Sequence, residues 1–350
     1  MRSVIVTGGC GFIGSHFIRK LIERTDLRVV NLDKLTYAGD PLRLGGIEEG
    51  ERYRMVKGDI VDEGLVDQLF QEEQPWAVVN FAAESHVDRS ILDASPFLQA
   101  NVLGVQTLLE AARRASVERF VQISTDEVYG DADGKLPFDE DSPLTPSSPY
   151  AATKAAADLL CLAYRRTHQV PVLIVRSSNN YGPFQFPEKF IPLMIRNALR
   201  VEEVPIYGDG SQRRDWLYVE DNAHAILRAL ETGAVGSIYN LGAGEEVTNL
   251  QVARCVCRTL AEEAGKEPEI VLKLIRSVAD RPGHDRRYAM SVAKAARELK
   301  WTPTVSFEQG LKKTVRWYLE NRDWTERVVS KDYSAYYDAV YRNAWKKPGA

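Results

Sequence analysis

The chain has 350 residues, enough for two packed domains or for one large α/β unit with an added lobe. Its 45 Lys+Arg against 49 Asp+Glu leave a net charge of −4, too balanced for nucleic acid or an anionic membrane to be a general partner, so anion binding must be local. No apolar run approaches a membrane span, and the N-terminus enters a strand pattern without a leader-like apolar core, which reads as a soluble, cytoplasmic protein.

Residues 3–7 read as a buried strand and 13–23 as the helix after it. Strands follow at 27–33 and 53–57, then at 77–81, 119–124 and 170–176, each a short apolar run. Between them lie helical patterns at 62–73, 96–115 and 149–168. The second of these carries Leu98, Val102, Val105, Leu109 and Ala112 at steps of three and four. Alternation of strand and helix predicts a parallel sheet covered on both faces, a Rossmann-like doubly wound α/β fold.

After Asn180 the rhythm changes, and Pro183, Pro187, Pro192 and Pro205 punctuate a less regular region. A strand and a helix resume over 215–230, a short strand at 237–241, and helices at 250–264, 291–299 and 307–320. The expected organisation is a nucleotide-binding domain over 1–178 plus 216–243 and a smaller α/β lobe over 179–215 plus 244–330. The Tyr-rich tail, 331–350, has no assignment. The four cysteines are too few for a disulfide scaffold. Cys255 and Cys257 stand two apart on a helix and face different sides, so buried thiols and no metal site are expected.

Gly8-Gly-Cys-Gly11-Phe-Ile-Gly14 lies between the first strand and its helix, where a turn without side chains lets backbone N–H groups reach a pyrophosphate. Asp33 closes the second strand where a carboxylate meets ribose hydroxyls, which favours NAD over NADP; Lys34 beside it tempers that preference. Asp59, after the third strand, is either an adenine contact or a turn residue. Tyr150 and Lys154 stand one helical turn apart, and an ammonium there favours a phenolate able to act as base. Adjacent Asp126 and Glu127 add an acid and a second base, which plain alcohol oxidation does not require.

These segments resemble the extended short-chain dehydrogenase/reductases and, more narrowly, the nucleotide-sugar 4,6-dehydratases. The resemblance runs from Val4 to about Tyr318. It is carried by Thr7-Gly-Gly-Cys-Gly-Phe-Ile-Gly-Ser15, Asp33-Lys-Leu-Thr-Tyr-Ala-Gly39, Ala82-Ala-Glu-Ser-His-Val-Asp-Arg-Ser90, Ser124-Thr-Asp-Glu-Val-Tyr-Gly130, Tyr150-Ala-Ala-Thr-Lys154, Asn179-Asn-Tyr-Gly-Pro183, Pro187-Glu-Lys189 and Asp280-Arg-Pro-Gly-His-Asp285. The glycine loop and the Tyr/Lys pair are shared by the whole superfamily. The Thr-Asp-Glu and Arg-Pro-Gly-His segments are far more specific.

The resemblance implies a redox-neutral lyase reaction on a nucleoside-diphosphate sugar, dTDP-glucose first, with UDP-glucose as the alternative and a 4-epimerase behind both. Tyr150 takes the O4 proton while NAD+ takes the C4 hydride, with Thr125 bonding nearby. Glu127 then removes the C5 proton and Asp126 protonates the departing C6 hydroxyl, after which hydride returns to C6. NAD is expected on Gly8, Gly11, Phe12, Ile13, Gly14, Asp33, Lys34, Thr36, Asp59, Ile60, Ala82, Ala83 and Asn180, together with Tyr150 and Lys154. The substrate is expected on Glu84, Ser85, Thr125, Asn179, Lys189, Phe190, Pro205, Tyr207, Arg214, Asn249, Arg281 and His284. A homodimer through the helices near 96–115 and 149–168 is also implied. Asp40, Ala100 and Arg213 depart from the common pattern, and Arg213 is expected to add positive charge near the phosphates.

Overall fold

The computed structural model describes residues 1–329. Its strands are β1 (Ser3–Thr7), β2 (Arg28–Asp33), β3 (Tyr53–Lys57), β4 (Ala77–Asn80), β5 (Arg119–Thr125), β6 (Val172–Ser177), β7 (Asn179–Tyr181), β8 (Val204–Tyr207), β9 (Arg213–Tyr218), β10 (Ile238–Leu241), β11 (Glu246–Thr248) and β12 (Ile275–Val278). Seven of them form one all-parallel sheet in the order β10-β6-β5-β4-β1-β2-β3. The chain leaves β1 first to one side and then to the other. The crevice above the carboxyl ends of β1 and β4 is therefore the switch point where doubly wound sheets bind ligands.

Both faces of this sheet are buried, which is why its strands read as unbroken apolar runs. One face packs Phe17, Ile18 and Leu21 with Leu227 and Leu230; the other packs Phe70, Leu108, Leu109 and Cys161. A third core, with Ile191, Met194, Trp216, Val256, Leu311 and Tyr318, gathers around two small sheets, β11-β9-β7 and β12-β8. Among the described residues no helix is long and apolar enough to cross a membrane.

Most strands and helices of the large sheet fall where the sequence pattern predicts, and the differences that shape the site are these. The 96–115 segment is not one helix: Ser95–Leu98 leads into a π-helical turn, Gln99–Leu103, before the helix Gly104–Ala115. That wider turn brings Asn101 inward to bond both the N–H and the carbonyl of Glu84 and the hydroxyl of Thr153. The proline-punctuated region holds a regular helix, Phe190–Leu199, because Pro192 occupies its first turn, where a missing N–H costs no bond. Strand β9, whose 216–218 stretch was expected with the nucleotide domain, instead pairs with β7 and β11. All four thiols are free. The tail expected over 331–350, and the expected lobe boundary at 330, lie outside the described residues.

Candidate active site

A cavity of about 480 Å³ opens above the carboxyl ends of β1, β4 and β5. At its β1 end Gly8 has φ +68°, and a Cβ there would stand 2.7 Å from the backbone nitrogen of Ala82. A Cβ on Gly14 would stand 2.4 Å from the carbonyl oxygen of Gly8. The turn therefore holds only as glycine, and it delivers the helix Phe12–Arg24 to the cavity with no side chain capping its first N–H groups. A backbone surface and helix terminus of this kind fit a dinucleotide pyrophosphate.

Asp33 is buried, and its carboxylate accepts from the N–H groups of Cys10 and Leu35 at 2.8 Å each. A carboxylate has about four acceptor positions, so capacity for ribose hydroxyls remains. Lys34 is tied to Asp59 at 2.5 Å, and the Arg43 guanidinium donates to the carbonyls of Cys10, Ala38 and Phe184. Lys34 and Arg43 are thus both engaged with partners of the chain. Asp59 is a turn residue that also lines the cavity, its Oδ1 accepting from the N–H of Val61. All fifteen residues expected to hold NAD line this one cavity, and Ala100 lines it too. Asp40 caps the turn after it and accepts from Trp324 Nε1 at 2.8 Å and Arg327 Nη2 at 2.9 Å.

At the end of β5, the Thr125 hydroxyl accepts from the N–H of Glu127 and opens a short 3-10 turn, Asp126–Tyr129. Thr125, Asp126, Glu127, Tyr150 and Lys154 all face the cavity. Burial, reinforced by the neighbouring Glu127, pushes Asp126 up to about 8. Burial also raises Glu127, but Arg281, Arg214 and Lys189 oppose it. The expected ammonium, Lys154, stands one helical turn from Tyr150 and faces the same cavity. Lys154 Nζ donates to the Ile123 carbonyl at 2.6 Å, and burial with the Glu127 charge keeps the phenol protonated, against a lowering hydrogen bond from Thr125. Burial pushes Lys154 itself down to about 8.

Of the expected substrate residues outside the 125–127 segment, Glu84, Ser85, Asn179 and Lys189 line the same cavity, while Phe190, Pro205, Tyr207, Arg214, Asn249, Arg281 and His284 do not. Several of these gather beside it around a residue the sequence did not single out, the buried Asp88. Arg281 Nη1 reaches Asp88 Oδ1 at 3.1 Å, the Tyr207 hydroxyl reaches Oδ2 at 3.1 Å, and the His284 ring stands edge-on to Tyr207. His284 also bonds Asp280 at 2.6 Å, and burial with Arg281 pushes it down to about 4. Phe190 stacks on Trp216. The Asn249 N–H donates to the Gln212 carbonyl. Arg214 is buried, donates to the Asp285 carbonyl and lies over the Tyr288 ring. Arg213 precedes it on the opposite strand face and is exposed.

Two further residues escaped sequence reasoning. The Tyr288 hydroxyl donates to Asp285 Oδ2 at 2.9 Å and stands 3.5 Å from Glu127 Oε2. Buried Glu188 gathers the Tyr37 hydroxyl at 2.8 Å and Arg89 at 3.2 Å. Glu188 sits in the quoted Pro187-Glu-Lys189 segment, which was the available signal; Tyr288 had none.

The family described as GDP-mannose 4,6 dehydratase matches residues 5–314. A dTDP-glucose 4,6-dehydratase of Neisseria meningitidis is 48% identical over 346 residues, covering 95% of this chain and 98% of that protein. The Escherichia coli dTDP-glucose 4,6-dehydratase is 45% identical over 352 residues, with 95% and 97% covered. Among solved structures, the dTDP-glucose 4,6-dehydratase of Streptomyces venezuelae, with NAD bound, superposes with a TM-score of 0.87 at 46% identity, covering 93% of this chain and 99% of that one. A UDP-glucose 4-epimerase of Thermus thermophilus, also with NAD, reaches 0.82 at 33% identity, with 91% and 99% covered.

Proposed function

This chain belongs to the GDP-mannose 4,6-dehydratase family, and from that premise we infer its reaction: NAD-dependent, redox-neutral dehydration of dTDP-glucose to dTDP-4-keto-6-deoxyglucose. Fold alone does not separate dehydratase from epimerase, since both kinds of structure superpose on it. The observation that carries the reading is the pair of adjacent carboxyls facing the Tyr150 cavity with unequal surroundings.

Bound NAD supplies the two-electron redox capacity and, when oxidised, the positive charge that favours a Tyr150 phenolate. Gly8, Gly11 and Gly14 give it a close backbone surface and Asp33 an acceptor. Tyr150, bonded by Thr125, takes the O4 proton. Asp126 holds its proton at neutral pH and delivers it to the departing C6 hydroxyl. Glu127 has three cations opposing its burial and serves as the carboxylate that removes the C5 proton. That division of labour follows from the charges around each group. Lys189, Arg214 and Arg281 supply cationic character for a diphosphate, with Glu84, Ser85 and Asn179 nearer the sugar.

The separation of the core around the two small sheets from those on the large sheet supports a two-lobe organisation, with β9 counted in the smaller lobe. A homodimer is supported by four large apolar side chains left outward near the 96–115 and 149–168 helices: Leu92, Leu98, Leu103 and Leu159, at 57%, 52%, 46% and 57% exposure. The four free thiols and the lack of a membrane-length helix among the described residues agree with a cytoplasmic enzyme. Incubation with NAD+ and either dTDP-glucose or UDP-glucose, followed by mass spectrometry, tests the reading. Loss of one water from dTDP-glucose is expected. Water lost only from UDP-glucose would overturn the thymine assignment, which rests on contacts worth about 1–3 kcal/mol.

A further inference from the structure

Three buried polar residues that the reaction does not use stand beneath the reacting groups. Asp158 follows Lys154 by one helical turn and is fully buried, as is Arg176 on β6. Asp158 Oδ2 accepts from Arg176 Nε at 2.9 Å. Arg176 Nη1 donates to the Tyr129 hydroxyl at 2.7 Å, and the guanidinium lies 4.7 Å from the centre of that ring. The Tyr129 hydroxyl donates in turn to Asn240 Oδ1 at 2.8 Å. Tyr129 is the last residue of the turn that begins with Asp126 and Glu127, and none of the three lines the cavity.

A buried ion pair is a weak source of stability, because desolvation offsets most of its attraction and an apolar trio of the same volume serves as well or better. What the charged trio adds is direction, since a bonded guanidinium fixes the distance and angle between the two elements it joins. The elements joined here are the helix of Tyr150 and Lys154 and the turn of Asp126 and Glu127, which must converge on neighbouring sugar carbons. We propose that Asp158, Arg176 and Tyr129 are positioning residues for the dehydration, forming a buried strut that holds the acid–base turn in register with the Tyr150–Lys154 helix.

The strut has an electrostatic side as well. Asp158 is the largest influence opposing the desolvation of Lys154, with Cys161 of the same helix behind it. Around Lys154, β5 contributes the Ile123 carbonyl and β6 contributes Arg176, already paired to Asp158. The 126–129 turn contributes Asp126 and Glu127, which act on Tyr150 rather than on Lys154. Removing the Asp158 charge therefore lowers the pH at which Lys154 loses its proton.

This inference rests on the dehydratase reading, and Tyr129→Phe and Asp158→Asn, run beside the unaltered chain, test it. Tyr129→Phe keeps the ring and its packing but breaks the strut at one hydroxyl. Its kcat for water release is expected to fall about tenfold, with KM for dTDP-glucose within about twofold, because a misaligned catalytic group lowers turnover more than binding. For Asp158→Asn the alkaline limb of the C4-oxidation rate, followed by NADH absorbance in single turnovers, is expected to move to lower pH. The strut is overturned if both variants match the unaltered chain in kcat and pH profile, or if they lose activity only in proportion to folded protein. If the unaltered chain itself releases no water, the failure lies in the dehydratase reading, and the strut loses its task with it.

Discussion

The β1 end of the cavity and the Arg281 cluster beside the cavity are built by different means. At the β1 end recognition is by backbone: three glycines, an uncapped helix terminus and one carboxylate, with nearby Lys34 and Arg43 already engaged. At the Arg281 cluster it is by charged side chains that the protein pairs internally, Arg281 and Tyr207 with Asp88, Lys189 with the Ser85 carbonyl, and His284 with Asp280. The first is shaped by what is missing from it, so a single added atom closes it. The second is a set of exchangeable partners, so a substrate there competes with contacts the chain already makes.

The largest effect is therefore expected at the backbone end. Gly14→Val places atoms against the Gly8 carbonyl, where a Cβ alone would stand at 2.4 Å, and should abolish NAD binding in a calorimetric titration. Retained binding would break the comparison. Next in size is Glu127→Gln, expected to oxidise C4 but to slow water release by about 10²–10⁴-fold, the usual weight of one general base. Full turnover by that variant would remove Glu127 as the C5 base. The acid beside it predicts a pH dependence. Asp126 is raised to about 8, so it donates while protonated, and water release should fall as pH rises through about 8. An unchanged rate beyond that point would contradict its role.

At the side-chain cluster the effects are graded. Arg281→Met should raise KM for the sugar nucleotide by about 10–100-fold, the worth of one charge-assisted contact, and lower kcat as well, because Glu127 loses the first of the cations that oppose its burial. It also leaves Asp88 buried without its cation, so a lower melting temperature should accompany it. A fall in kcat at unchanged KM would place Arg281 with the chemistry instead of with binding. The smallest effect is expected for Asp40→Asn, which removes the charge facing the half-exposed Arg327 and leaves one oxygen to serve either the Leu42 N–H or Trp324 Nε1, neither of which lines the cavity. NAD affinity should then change by less than about threefold.

How much was legible in advance follows the same division. The glycine turn, Asp33, the Tyr150–Lys154 spacing and the strands of the large sheet are local patterns, and each is found within a residue or two of its predicted place. Asp88, although within the quoted Ala82–Ser90 segment, and Tyr288 were not singled out, because their meaning lies in contacts far along the chain, such as Arg281 on Asp88 and Tyr288 beside Glu127. The π-helical turn at Gln99–Leu103 hides behind an unbroken apolar stripe, since its cause is the inward bonding of one residue, Asn101. The helix Phe190–Leu199 was masked by Pro192, which breaks a helix interior but not a first turn. Arg214 was legible as a cation, but not the three carbonyls and the ring that hold it.

The central claim is that one cavity joins a reversible oxidation at C4 to a proton-driven loss of water between C5 and C6. Incubating the purified chain and NAD+ with dTDP-glucose deuterated at C4, then locating the label in the product by NMR, tests that most directly. The account predicts a 4-keto-6-deoxy product with the deuterium at C6 and no accumulated NADH. Label remaining at C4 in a sugar of unchanged mass would mean that Asp126 and Glu127 serve no elimination, and would contradict it.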